Sequence, residues 1–253
     1  MREETRALQM ALNELGFDAG PEDGINGDRT KGAVSDYLAS RQVTSTIAPP
    51  RFTGAAKPLE DIDLPRIGAQ IGVGEDELHA VMDVEAKGTG FDSLGRVAML
   101  FEPHVFYREL GPGAARDKAV GQGLAYKNWG ARSYPSDSYP RLLAAIQIDE
   151  EAALRSASWG LGQMMGFNAQ MVGFPTARVM VEAFAEDEEV QLRAMVDYIV
   201  AAGLDDELRR HDWAGFARGY NGPSYAFHGY DKKLRSAFLK WDAIPDTPIP
   251  EAA

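Results

Sequence analysis

Apolar residues recur at helical spacing along most of the chain. Thr5, Leu8, Leu12 and Leu15 stand three or four apart and predict an amphipathic helix at the start. A Gly/Asp-rich loop from Gly16 to Gly27 follows. Thr30, Val34, Tyr37 and Leu38 then predict a second helix, which Asp28 or Thr30 can cap. Residues 43–60, VTSTIAPPRFTGAAKPLE, lose this periodicity and read as a linker. From Asp61 to about Trp241 the spacing returns, with helices expected over 64–71, 75–87, 103–110, 138–155, 176–185, 187–202, 205–219 and 230–241. Residues 96–101, RVAMLF, suit a short strand or a buried turn. The expected fold is therefore all-α. A small helical module over 1–42 precedes the linker 43–60, a mainly α-helical domain over 61–242 and a Pro-rich flexible tail over 243–253.

Composition narrows the chemistry. A chain of 253 residues with 45% hydrophobic and 25% charged side chains supports a packed core and is long enough for one small domain and one larger one. The absence of Cys excludes a disulfide framework, a thiolate metal site and a thiol nucleophile. The four His residues (79, 104, 211 and 228) show no metal-ligand spacing, so neither metal nor cofactor is expected, and His104 reads as a hydrogen-bonded structural residue. No Gly-x-Ser-x-Gly motif, P-loop or dinucleotide fingerprint occurs. A net charge of −12 argues against a nucleic-acid partner, because phosphate binding needs a cationic footprint. No run of 18 apolar residues predicts membrane insertion, and the first residues lack the apolar segment of a secretory signal.

The most informative stretch is EDELHAVMDVEAKGTGFDSLG, residues 75–95. On a helix, Leu78, Val81, Met82 and position 85 share one face, and the fourth member of that apolar stripe is Glu85. One reading makes Glu85 a boundary carboxylate paired with Lys87 or Arg96. The other presses it against apolar surface in the last helical turn, before Gly88 and Gly90. Desolvation and the negative end of the helix dipole then both raise its pKa, and a carboxyl that keeps its proton near neutral pH suits general-acid cleavage of a glycosidic bond. Asp83 lies on the opposite side of the helix and is expected to face solvent.

Three blocks carry a resemblance. Val84-Glu85-Ala-Lys-Gly88-Thr-Gly90-Phe91, with Gly95-Arg96 and Leu100-Phe101-Glu102-Pro-His104, is the first. Ser156-Ala157-Ser158-Trp159-Gly160-Leu-Gly-Gln163-Met-Met165-Gly166-Phe167-Asn168 is the second. Asp212-Trp213-Ala-Gly-Phe216-Ala217-Arg-Gly-Tyr220-Asn221-Gly222-Pro223, with Tyr230-Asp231-Lys-Lys233-Leu234, is the third. In order and spacing over about 64–241 they resemble the phage endolysin N-acetylmuramidase family, which is similar to goose-type lysozymes and lytic transglycosylases. The resemblance implies a lysozyme-like fold, Glu85 as catalytic acid, and Ser158, Gln163, Tyr220 and Asn221 along a sugar-binding cleft.

Independently of any family, Gly160 and Gly162 permit close backbone approach, and the Gln163 amide can both donate and accept. Trp159 suits either a core position or a sugar platform, the core being the commoner role. Glu102 and Asp92 are candidate second carboxylates. Inverting glycosidases hold the two carboxyls roughly 6.5–9.5 Å apart and retaining ones roughly 5–5.5 Å, and the sequence does not choose between the two residues. Glu102 can equally bond the backbone of the Glu85 loop.

The first 42 residues are similar to the three-helix peptidoglycan-binding domain, through Leu8-Gln9-x-x-Leu12-Asn13 and Asp23-Gly24-x-x-Gly27-x-x-Thr30. Here Ser35-Asp36-Tyr37-Leu38 follows Ala33-Val34, where that family has an aromatic residue and then Gln, so its last helix is expected to be trimmed. Leu8, Leu12, Leu15, Val34 and Tyr37 are expected in the core and ligand contacts in the 20–30 loop. Together the resemblances imply bacterial peptidoglycan as partner and a monomeric endolysin that cuts the β-1,4 bond between N-acetylmuramic acid and N-acetylglucosamine. They also imply synthesis in the host cytoplasm and action in the periplasm after membrane permeabilisation. A lytic transglycosylase with the same acid and a non-catalytic wall-binding phage protein are the competing expectations.

Overall fold

Gln9, a polar side chain, is buried in the N-terminal part of the chain. The computed structural model describes residues 2–41, 49–86 and 88–248, and the chain divides into two compact units, 1–49 and 50–253. The front unit contains α1 (Arg2–Glu14) and α2 (Asp28–Arg41). Gln9 is buried, donates from Nε2 to Thr30 Oγ1 (3.0 Å), and accepts at Oε1 from the Gly24 N–H (2.9 Å). The Gly/Asp loop is thereby tied to both helices. Leu12, Ala19 and Ala33 form the core, with Phe17 and Val34 partly buried against it. Leu8 and Leu15 are exposed, contrary to expectation, because the loop folds back over the face that carries Gln9 and Leu12. Among the described residues of this unit α1 and α2 are the helices present. The side chain of Tyr37 lies outside what the structure describes, as do residues 42–48.

In the second unit α3 (Asp63–Gly68) runs into a 3-10 turn, Ala69–Ile71, and is followed by α4 (Glu75–Glu85), β1 (Met99–Phe101), α5 (Pro103–Glu109) and α6 (Ala114–Gly121). Then come α7 (Tyr139–Ile146), α8 (Glu150–Arg155), β2 (Ala157–Trp159), β3 (Met164–Met165), a 3-10 turn Gly166–Asn168, and α9 (Ala177–Phe184). The chain ends with α10 (Glu188–Ala201), α11 (Asp205–Arg209), α12 (Trp213–Asn221), α13 (Tyr225–His228) and α14 (Tyr230–Trp241). The fold is mainly α-helical and lysozyme-like, with one small antiparallel sheet in the order β1-β2-β3.

Several boundaries differ from the sequence expectation. The helix expected over 138–155 breaks because the Asp149 carboxylate accepts the Ala152 N–H (2.9 Å) and caps a new helix. The one expected over 205–219 breaks at His211, whose φ is +53°, after which Asp212 caps α12 through the Gly215 N–H (2.9 Å). α4 ends at Glu85, since Ala86 is already extended (φ −90°, ψ 136°). The strand of 96–101 narrows to residues 99–101, and α6, α13, β2 and β3 were not expected.

The linker expected over 43–60 does not reach residue 60. From Pro50 onward the chain packs into the second unit, with Phe52 stacked on Trp159 at 5.8 Å between ring centres and the Phe52 carbonyl accepting the Val97 N–H (2.9 Å). Nor is the start of the tail loose, since the Thr247 N–H donates to Glu75 Oε1 (2.6 Å). Residues 249–253 lie outside the described ones.

Two apolar clusters support the second unit. One gathers Phe101, Phe106, Leu154, Trp159 and Phe184, and the other Leu78, Val81, Leu192, Ile199, Phe216 and Leu234. α10 serves both, giving Ala194 to the first and Leu192, Met195 and Ile199 to the second.

Candidate active site

α4 lays its apolar stripe into the second cluster, with Leu78 and Val81 fully buried and Met82 partly so. Glu85 closes that stripe at the last helical residue and emerges half-buried in a groove. The groove encloses about 590 Å³ and is lined by Glu85, Gly162, Gln163, Met164, Met165, Asn168, Tyr198, Tyr220 and Asn221. Its far wall is the end of α12, whose Asn221 Nδ2 donates to Glu85 Oε1 at 2.9 Å. Tyr220 is packed edge-on against Tyr198 of α10 (5.6 Å, 90°) and stacked on Phe216 (5.3 Å).

Burial pushes the Glu85 carboxyl above its ordinary value, while the hydrogen bond from Asn221 and the charge of Lys233 on α14 pull the other way without cancelling it. The carboxyl thus holds its proton more tightly than a surface Glu. Burial, then the facing Glu85 charge, raise the Tyr220 phenol well above its usual range, so it stays protonated. Arg96 does not partner Glu85. It binds Asp92 (2.7 Å) and Asp137 (3.3 Å), and Lys87 lies outside the described residues.

The third wall is the turn between β2 and β3. Gln163 adopts φ +48°, a left-handed conformation unusual for a residue with a Cβ, and its own side chain secures it. Gln163 Nε2 donates to the Gly160 carbonyl (2.9 Å), and Gln163 Oε1 accepts from the Ser158 hydroxyl (2.9 Å). Ser158, expected to line the cleft, is buried behind that lining and acts on it through Gln163. Trp159 is fully buried and donates from Nε1 to the Leu154 carbonyl (3.0 Å), which makes it core and not a sugar platform.

The remaining carboxylates lie elsewhere. Glu102 precedes α5, accepts from the Tyr134 hydroxyl and sits 3.3 Å from His104 Nδ1; neither it nor Asp92 lines the groove of Glu85. Asp92 lines a second groove, of about 1140 Å³, between residues 88–99 and 136–139. Burial works against ionisation of Asp92, but hydrogen bonds from Arg96 and Leu94 prevail and hold its carboxyl below the ordinary range. Asp83 is exposed and binds Trp241 Nε1 (3.0 Å) and Lys240. Among the described residues no three His, Cys, Asp or Glu side chains could hold a metal ion together, and no helix is long and apolar enough to cross a membrane.

Glu85, Gln163, Tyr220 and Asn221, drawn from three distant blocks, thus share one groove. Residues 75–242 match the N-acetylmuramidase family. The chain belongs to that family. Residues 1–39 of the muramidase match a putative peptidoglycan binding domain. A crystal structure of a Burkholderia AP3 phage endolysin is 33% identical, with a TM-score of 0.68, over 95% of this chain and 96% of that one. No curated protein sequence matches the muramidase. The muramidase is a peptidoglycan-cleaving glycosidase, and peptidoglycan is its substrate partner.

Sequence reasoning missed Tyr198, an aromatic residue inside a long helix with nothing local to mark it. It also missed Met164, Met165 and Asn168 as lining residues, although all three lie within the second motif block. Of the left-handed turn at Gln163, the sequence showed only the close backbone approach that Gly160 and Gly162 permit.

Proposed function

We propose that the muramidase cuts the β-1,4 bond between N-acetylmuramic acid and N-acetylglucosamine, with Glu85 as general acid. The observation that carries this reading is a half-buried carboxyl lining a groove and hydrogen-bonded by Asn221. Glu85 gives its proton to the leaving oxygen and water adds to the anomeric carbon of the muramic acid. Glu85 is also the one carboxylate among the groove's lining residues. Once discharged, it is therefore the group placed to take a proton from the incoming nucleophile. Asn221 Oδ1, buried and without a partner, is left to accept from that nucleophile or a sugar hydroxyl. Gln163 and Tyr220 line the sugar site, Ser158 orients Gln163, and Glu102 and Asp92 are structural.

The single carboxylate keeps a second reading open. If the muramic acid 6-hydroxyl replaces water, the same acid yields a 1,6-anhydro end and the enzyme is a lytic transglycosylase. Mass spectrometry of digested peptidoglycan separates the two. Hydrolysis leaves reducing muramic acid ends, and anhydro ends, one water lighter, would refute hydrolysis.

The front module serves as wall anchor for a monomeric enzyme, made in the host cytoplasm and admitted to the periplasm once the inner membrane is breached. The sense of the pKa shift gives a further expectation. Asn221 and Lys233 both favour the ionised form of Glu85, so Asn221→Ala or Lys233→Met raises its pKa further. The acid must be protonated to work, so the alkaline limb of the kcat–pH profile moves to higher pH in both variants. An alkaline limb that stays put in both would mean that Glu85 is not the group it reports.

A further inference from the structure

We infer that Gln191 is a positioning residue that holds the acid-bearing wall and the Gln163 wall of the groove in register. The inference rests on the reading of Glu85 as the acid. On α10, Glu188, Gln191, Met195 and Tyr198 are spaced by three, four and three residues and form one stripe. Each touches a different part of the site. The buried Glu188 accepts the Gly90 N–H at Oε1 (2.5 Å), on the loop that leaves Glu85. Met195 packs under Gly162, where an added methyl would lie 3.2 Å from its Cγ. Tyr198 reaches the groove itself.

Gln191 stands where the two walls meet. It is 2% exposed. Its Oε1 accepts the Leu161 N–H (2.6 Å), two residues before Gln163, and its Nε2 donates to the Phe184 carbonyl (2.8 Å). Both walls close directly onto the same amide. A methyl on Gly90 would collide with Gln191 Oε1, and one on Gly160 would lie 2.6 Å from that oxygen. Ala98 joins the same two glycines, its N–H donating to the Gly90 carbonyl (2.8 Å) and its carbonyl accepting the Gly160 N–H (2.7 Å). A neutral amide of this length accepts from the 161 backbone and donates to the 184 carbonyl at once. A leucine fills much the same space but strands both partners, buried and unpaired. The strained Gln163 turn then loses its anchor, and so does the spacing between Gln163 and the Glu85 loop.

The test uses the full chain and steady-state kinetics on soluble peptidoglycan fragments, with melting temperatures measured alongside. Gln191→Leu should lose about tenfold or more in kcat while KM stays within about twofold, because misplacement of the reacting groups acts on the chemical step. Gln191→Glu keeps the acceptor and should recover much of the loss, most at acidic pH where its protonated carboxyl can donate to Phe184. Met180→Ala, a buried change in the first apolar cluster, serves as a control for lost stability alone. Should Gln191→Leu fold poorly, Gly90→Ala displaces the same amide and should show the same kcat loss, and the double variant should lose no more than the worse single one. Wild-type kcat in Gln191→Leu or Gly90→Ala, an equal kcat loss in Met180→Ala, or multiplicative losses in the double variant would each overturn the inference. Failure of the acid assignment itself is read separately, from an active Glu85→Gln enzyme.

Discussion

Replacing Glu85 with Gln should lower peptidoglycan turnover by about 10²–10⁴-fold, the usual worth of a positioned general acid. The amide keeps the shape of the side chain and can still accept from Asn221 Nδ2 at its oxygen, so the groove keeps its form. It cannot release a proton to a leaving alcohol. Stability should move the opposite way. A carboxyl whose folded pKa lies above its unfolded value destabilises the fold increasingly as pH rises from the unfolded value of 4.5 through the raised one. At neutral pH the wild type bears that penalty and the Gln variant does not, so its melting temperature should match or exceed the wild type's. Loss of turbidity in permeabilised Gram-negative cells measures activity, and thermal unfolding measures stability. Wall binding should survive in the variant and fall when residues 1–42 are removed. Lysis at the wild-type rate would end the case for Glu85.

Trp159→Ala should produce the largest loss of stability, about 3–5 kcal/mol, as expected for emptying a fully buried aromatic site. Trp159 is 0% exposed, stacks on Phe52 with an interplanar angle of 7°, pairs across the sheet with Met99 and Met164, and satisfies the Leu154 carbonyl. Removal leaves a cavity, takes the indole donor from the Leu154 carbonyl, and loosens β2 just before the Gln163 turn. Urea unfolding at constant pH reads the difference directly. A loss below about 1 kcal/mol, the scale of a surface substitution, would show that the sheet does not depend on this indole.

The helices that bury one continuous stripe were legible in the sequence. α4 is the clearest case, since Leu78, Val81 and Met82 fixed both its face and the position of Glu85. What stayed hidden was decided by single polar side chains acting across turns. Asp149 and Asp212 each start a new helix inside a stretch whose apolar spacing runs on without a break, and periodicity cannot see a cap. In α1 the leucines suggested a core face, yet the buried stripe is displaced onto Gln9 because a hydrogen-bonded loop, not another helix, covers it. Phe52 sat in a Pro-rich stretch without periodicity, and only its distant partner Trp159 explains it. The site followed the same rule. Glu85, Gln163, Tyr220 and Asn221 stood out in compact motifs, whereas Tyr198 and Gln191 owe their roles to one helix passing beneath two walls.

The hydrogen bond between Glu85 and Asn221 spans 136 positions of chain, and Lys233 lies beyond that again. During synthesis the ribosome delivers Glu85 long before Asn221 and Lys233, and domains form as their sequence emerges. A nascent chain halted before α12 therefore lacks Asn221, which donates to Glu85, and Tyr220, which lines the same groove. On the acid role proposed for Glu85, a chain that stops short of α12 should show no activity, because the Tyr220–Asn221 wall of the groove is missing.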